Sequence, residues 1–142
     1  WNALSLAIRN SANFVFVQIG LNDLDPSVPS ATVTIQSLRD YFIKIRLDSP
    51  SAVIVAGKMI PCKQRFIDLW GSNNGDIAYQ KWKAINNSLS TISQINKIAS
   101  VHEWLLNDGN DNLKGEFNTG DNIHENTNGR KMIAYSWLIS TL

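Results

Sequence analysis

Apolar residues fall along this chain in two alternating patterns, short unbroken runs and stripes at helical spacing. The first run is Phe14-Val15-Phe16-Val17-Gln18-Ile19, stopped by Gly20. A β-branched and aromatic run of this kind suits a strand buried on both faces, as in a parallel sheet. Residues 3–8 before it read as the end of a helix. After a loop over 21–30 that carries Pro26 and Pro29, Ile35, Leu38, Phe42 and Ile45 recur at helical spacing. Ser49-Pro50 ends that helix, because the residue before proline is pushed out of the α region. Residues 52–56 form a second buried strand, closed by Gly57. Residues 58–76 read as a long connection with a turn at Gly71-Ser72-Asn73-Asn74-Gly75. Tyr79, Trp82, Ile85, Leu89 and Ile92 then share one helical face. A short third strand is expected at 98–101, followed by a polar loop to about Asn126 and a last helix striped by Met132, Ile133 and Trp137.

Strands alternating with helices predict βαβ units, hence an α/β domain with a parallel sheet between helices on both faces. Ligands of such sheets bind at the carboxyl ends of the strands. The positions to inspect are therefore those after Ile19, those after Ala56 and the loop before the last helix.

Composition narrows the function classes. The 142 residues are 44% hydrophobic and 18% charged, a globular balance. Thirteen Lys and Arg against twelve Asp and Glu leave a formal charge of +1, which gives no electrostatic reason to expect a nucleic-acid partner. No apolar run approaches the roughly 20 residues that cross a bilayer. Cys62 is the single cysteine, so neither an intrachain disulfide nor a Cys-rich metal site is expected. It reads as a small packing residue. A chain opening on Trp1-Asn2-Ala3-Leu4, without Met, inside an amphipathic segment, looks like a piece of something longer.

Two segments hold candidate chemistry. Gly20-Leu21-Asn22-Asp23 follows the first strand. Asn22-Asp23 either caps a turn there or projects the Asn22 amide over the sheet edge as a neutral donor to an oxyanion. Asp121-Asn122-Ile123-His124 precedes the last helix. It is either a surface histidine beside a turn-forming aspartate, or a pair in which the carboxylate takes the Nδ1 proton and leaves Nε2 as a general base. His102, the other histidine, has no carboxylate at such spacing. Trp82 and Trp137 lie on helical stripes and read as core. Trp70 and Trp104 read as loop or strand-exit residues able to line a sugar- or acyl-binding cleft. Lys63 and Arg65 are candidates to meet an anionic substrate.

Taken in order, the motifs resemble those of the SGNH hydrolases, the GDSL esterases and lipases. The stretch from Phe14 to Asp23 looks like that family's hydrophobic strand running into G-x-N-D. The stretch from Gly120 to Gly129 looks like its D-x-x-H-x-N-x-x-G block leading into the C-terminal helix. Strand 52–56 followed by Met59-Ile60-Pro61 fits the passage between them, so the resemblance covers the chain from about residue 10 onward.

This resemblance implies a flavodoxin-like three-layer fold with its N-terminal strands outside this chain. It also implies a single incomplete domain over 1–142. Asn22 matches the oxyanion-hole asparagine, with Gly20 in the same block; His124 matches the general base and Asp121 the residue that orients it. Glu125 stands where the family most often has proline. The block carrying the nucleophilic serine should precede the Gly20 strand, and nothing in residues 1–13 matches it. Ser27, Ser30, Ser72 and Ser93 lack the strand-to-turn setting of a nucleophile, and Ser11 falls at the wrong end of the sheet.

The expected activity is ester hydrolysis without metal or organic cofactor. O-acetyl groups on carbohydrate are the favoured substrate class, because the Asn-rich loops supply no greasy lid. A secreted or virion-associated setting is expected over a cytoplasmic one. The alternative is a non-catalytic SGNH-like or flavodoxin-like module for binding or structure. The apolar edge of the Gly20 strand is expected to pair with a separate segment of the same protein or with another copy.

Overall fold

The computed structural model describes residues 6–27, 30–100 and 106–142. Of Leu6, Ala7 and Asn22 it describes the backbone alone. Three strands, β1 (Phe14–Val17), β2 (Val53–Gly57) and β3 (Lys97–Ala99), form one parallel sheet in the order β1-β2-β3. Phe14 pairs with Val53, and Val55 with Lys97. Among the described residues four α-helices flank it: α1 (Leu6–Asn10), α2 (Ala31–Asp48), α3 (Lys63–Ser88) and α4 (Thr127–Thr141). The architecture is a three-layer α/β/α sandwich, as the alternation of runs and stripes predicts.

One face of the sheet presents Val15, Val17, Ile54 and Ala56, and buries them against Leu38, Phe42 and Ile45 of α2 and Phe66, Trp82 and Ile85 of α3. The helical stripes read from sequence are the stripes that pack here. The other face is covered by α4, whose Trp137 ring stands edge-on to Phe16 at 5.2 Å between centroids. Ile60, Leu106 and Leu113, with Met132 and Ile133 leaning on them, form a smaller apolar cluster.

At the amino ends of the strands, Arg46 ties the layers together. Its guanidinium donates to Ala52 O at 2.7 Å, Gln94 O at 3.0 Å and Asn96 Oδ1 at 2.6 Å. Asn96 Oδ1 also accepts from Ile54 N at 2.8 Å.

Two expectations are corrected. Residues 58–76 are not a long connection, because α3 begins at Lys63. The glycine-rich stretch is a break inside that helix: Gly71 has φ 73° and ψ 171°, a conformation that an L side chain rarely adopts. Beyond it the chain resumes helix and Gly75 comes against the first half. A Cβ on Gly75 would lie 2.8 Å from Ile67 Cα, so the absence of a side chain lets the two halves touch.

The second correction concerns β1, which is apolar throughout but buried on one face only. Phe14 and Phe16 are 46% and 50% exposed, whereas Val15 and Val17 are each 7% exposed. The third strand, expected over 98–101, is observed as Lys97–Ala99; Ser100 is already outside it, and Val101 lies outside the described residues.

Candidate active site

The carboxyl ends of β1 and β2 and the loop before α4 converge on one cleft of about 290 Å³. Ile19 and Leu21 line it from the β1 exit, Met59 and Ile60 from the β2 exit, and His124 and Glu125 from the loop.

At the β1 exit the chain turns sharply. Gly20 adopts φ 108°, ψ −9°, and residues Leu21–Leu24 form one 3-10 turn that buries Leu24 completely. The backbone of Asn22 lies in that turn; its side chain lies outside the described part. A Cβ on Gly20 would meet Met59 Sδ at 3.5 Å, so the two strand exits pack against each other.

The β2 exit is held by α3. Asn86, itself buried, accepts from Met59 N at 2.8 Å, and Trp82 donates its indole N–H to Ile60 O at 2.9 Å. These residues sit four apart on one helical face, so a single turn of α3 grips the cleft wall. From β1, Gln18 donates to Lys58 O at 2.9 Å. Cys62 follows at 1% exposure, and burial pushes its thiol far above the ordinary range, with the charge of Glu125 adding to the effect. A thiol so disposed packs; it does not supply a thiolate.

In the loop before α4, His124 Nδ1 lies 2.5 Å from Asp121 Oδ2. A carboxylate only accepts, so Nδ1 carries the proton, and in the neutral ring Nε2 keeps its lone pair. The other oxygen, Oδ1, accepts from His124 N at 2.9 Å, from Ile123 N at 3.2 Å and from Thr119 Oγ1 at 3.2 Å. The backbone N–H and the ring of His124 are the leading causes that hold the Asp121 carboxyl well below the usual carboxylate range. The His124 side chain is 72% exposed, open to an incoming group.

The structure thus brings Gly20 and the backbone of Asn22 to the same strand-end region as the Asp121–His124 pair. Trp70 is placed differently. It lies in α3 rather than in a loop, half-buried, with its ring stacked on Phe66 at 5.9 Å between centroids, and it is not among the residues lining the cleft. Trp104 and His102 fall outside the described residues. Trp137 is half-buried rather than core. Lys63 is turned onto the Tyr79 ring, 4.8 Å from its centroid.

Asn118 is the residue that sequence reasoning passed over. Its carboxamide folds the loop that carries Asp121, and the signal for it was present. The pattern N-x-G-x-D/N occurs at 107–111 and again at 118–122. Among the described residues no three His, Cys, Asp or Glu side chains cluster as a metal site would require, and no helix is long and apolar enough to cross a membrane.

No family model and no curated protein matches the chain. Among solved structures it is similar to that of a candidate platelet activating factor from Streptococcus pneumoniae, with a TM-score of 0.67 and 23% sequence identity. The match covers 89% of this chain and 58% of that one. At this identity the likeness establishes the fold, the same three-layer α/β/α arrangement.

Proposed function

We propose that this chain carries the histidine-bearing part of an SGNH-type serine esterase, with the serine supplied by a segment of the same protein outside these 142 residues. The observation that carries the reading is the Asp121–His124 pair, 2.5 Å apart, with His124 on the cleft that Leu21 of the G-x-N-D turn also lines. The serine hydroxyl attacks the ester carbonyl while His124 Nε2 takes its proton. Asp121 stabilises the imidazolium, and the Asn22 amide with the Gly20 backbone donates to the oxyanion. The tetrahedral intermediate expels the alcohol, which leaves with the proton from His124. Water then releases the acyl group by the same steps. No metal or organic cofactor enters the scheme.

The open edge of β1 is where we place the serine-bearing segment. Among the described residues β1 pairs on one side only. A groove of about 520 Å³ runs along it, lined by Ile8, Phe14, Phe16, Ile19 and Tyr41. An added strand there would cover the exposed phenylalanines and satisfy the free backbone groups. The polar, Asn-rich loops favour O-acetylated carbohydrate over lipid as substrate.

Hydrolysis of p-nitrophenyl esters by the whole protein tests these points. His124→Ala is expected to lower kcat by about 10³-fold or more. An unchanged rate rejects the site assignment. Preference for long-chain over acetyl esters rejects the O-acetyl assignment. A whole protein without any ester hydrolysis favours a non-catalytic binding module.

A further inference from the structure

Residues 107–111 and 118–122 fold into the same small cage. In the first, Asn107 Oδ1 accepts from Gly109 N at 2.8 Å and Asp111 N at 3.0 Å, and Nδ2 donates to Asp111 Oδ1 at 2.9 Å. In the second, Asn118 Oδ1 accepts from Gly120 N at 2.8 Å and Asn122 N at 3.1 Å, and Nδ2 donates to Asn122 Oδ1 at 2.8 Å. The backbone repeats as well. Gly109 and Gly120 have φ of 96° and 112°, and Asp111 and Asn122 have φ of 61° and 62°. Asn and Asp tolerate this left-handed conformation better than other side-chain-bearing residues.

The cages differ in what the middle residue does. In the first it is Asn110, exposed. This cage serves α3, since Asn112 Oδ1 accepts from Gln64 N at 2.6 Å and Asp111 O from Lys63 N at 2.9 Å. In the second the middle residue is Asp121, and Asn118 grips the N–H immediately before it and the one immediately after. The second cage is further tied down by Asn122 Nδ2 donating to Asp68 Oδ2 at 3.2 Å and by Thr119 N donating to His124 O at 3.0 Å.

Resting on the esterase reading above, we infer that Asn118 is a positioning residue for the Asp121–His124 pair, acting by holding the backbone N–H groups of Gly120 and Asn122, the residues on either side of Asp121. Asn118 is not among the residues lining the cleft, although its backbone bridges to Glu125, which is. Its effect passes through the direction in which Asp121 leaves the backbone. Without the clamp, Gly120 returns to the wide range of conformations open to glycine, and the carboxylate loses its fixed aim at Nδ1. A misplacement of about 1 Å in such a pair costs on the order of 10²-fold in rate.

The duplicate cage supplies the control. In the whole protein, Asn118→Ala and Asn107→Ala are compared by three measurements: melting temperature, NMR titration of the Asp121 carboxyl carbon, and kcat with KM. Both variants are expected to melt lower. Only Asn118→Ala is expected to move the Asp121 midpoint up toward the ordinary carboxylate range and to lower kcat by about 10- to 100-fold with KM nearly unchanged. Asn118→Asp keeps the accepting oxygen for Gly120 N and Asn122 N but loses the donor to Asn122 Oδ1, and is expected to recover part of that kcat. Glu116, Glu125 and Asp68 are other carboxylates beside the loop; none is altered by these substitutions.

The inference is overturned if Asn118→Ala leaves the Asp121 midpoint in place, or if Asn107→Ala shifts midpoint and kcat as much. It is equally overturned if Asn118→Asp recovers nothing over alanine. Should His124→Ala leave the rate intact, the esterase reading fails by itself, while the Asp121 midpoint still decides whether Asn118 sets that carboxylate.

Discussion

The two faces of β1 are built from the same four-residue run and end in different environments. Val15 and Val17 point into a core closed by two helices, and each is 7% exposed. Phe14 and Phe16 point to the face that α4 covers, and about half of each remains in contact with solvent. On that face the Trp137 ring of α4 meets Phe16 in a T-shaped contact. The contrast teaches that the apolar content of a strand records the coverage it is adapted to, which here exceeds what the described residues supply. A large exposed aromatic patch along an unpaired strand edge is a liability that proteins cover. Its position beside the cleft is why we propose it as the place for the serine-bearing segment.

The contrast can be broken most directly by truncating one phenylalanine from each environment in residues 1–142. Phe42, 1% exposed between α2 and the sheet, fills the finished side. Phe42→Ala is expected to lower the unfolding free energy by about 3–5 kcal/mol, through lost burial and the cavity left behind. Phe16→Ala, losing roughly half a side chain's burial, is expected to cost about 1–2 kcal/mol. Urea titrations of both variants decide the point, and equal losses would show that the two faces are equally closed.

A smaller effect sharpens the picture on the α4 side. A Cβ added at Gly57 would lie 2.4 Å from Trp137 Cζ2 and 2.6 Å from Cη2. The ring must move, and Gly57→Ala is expected to cost about 1–3 kcal/mol. If Trp137 is the cause, the same change in a Trp137→Ala background costs less, so the two losses are not additive. Additive losses in urea titrations would place the strain elsewhere.

What sequence could and could not reveal follows the same division between local and tertiary causes. The unbroken runs marked β1 and β2 to within about two residues, because strand and helix periods differ and both stripes were long. Leu38, Phe42 and Ile45, and Trp82 and Ile85, fell on the faces that pack. Asp121 and His124 were legible as a pair because they stand three positions apart and a turn brings them together. The start of α3 was hidden, because Gly71-Ser72-Asn73-Asn74-Gly75 has turn chemistry. Only the contact of Gly75 with Ile67 explains why the chain resumes helix. Trp70 was misplaced for the same reason. The half-covered face of β1 was invisible, because apolar composition reports a preference for burial and not whether a neighbour is present. Asn118 was missed because one asparagine in an Asn-rich loop carries no signal. Only its repetition as N-x-G-x-D/N, eleven residues after Asn107, does.

The smallest expected effect concerns the loop that α4 carries at its start, and its sign follows from hydrogen bonding. The ionised form of Asp121 accepts from the backbone N–H and the ring of His124, which lowers its affinity for a proton in the folded state. In the unfolded chain that carboxyl titrates near the ordinary value of about 4. Its contribution to stability is therefore complete above that value and is lost as the pH falls through the depressed one. Asp121→Asn removes the charge and with it this dependence. The difference in melting temperature between wild type and Asp121→Asn is expected to be largest near neutral pH and to shrink as acid is added below about pH 4. A difference that grows in acid would mean the carboxyl is destabilised by folding, contrary to its four hydrogen-bond donors. Because the pair is exposed, solvent screens the interaction and the shift is expected to be small. Exposure limits what the Asp121–His124 contact adds to stability, yet leaves Nε2 open to a hydroxyl. The pair is therefore better suited to aim a base than to hold the fold.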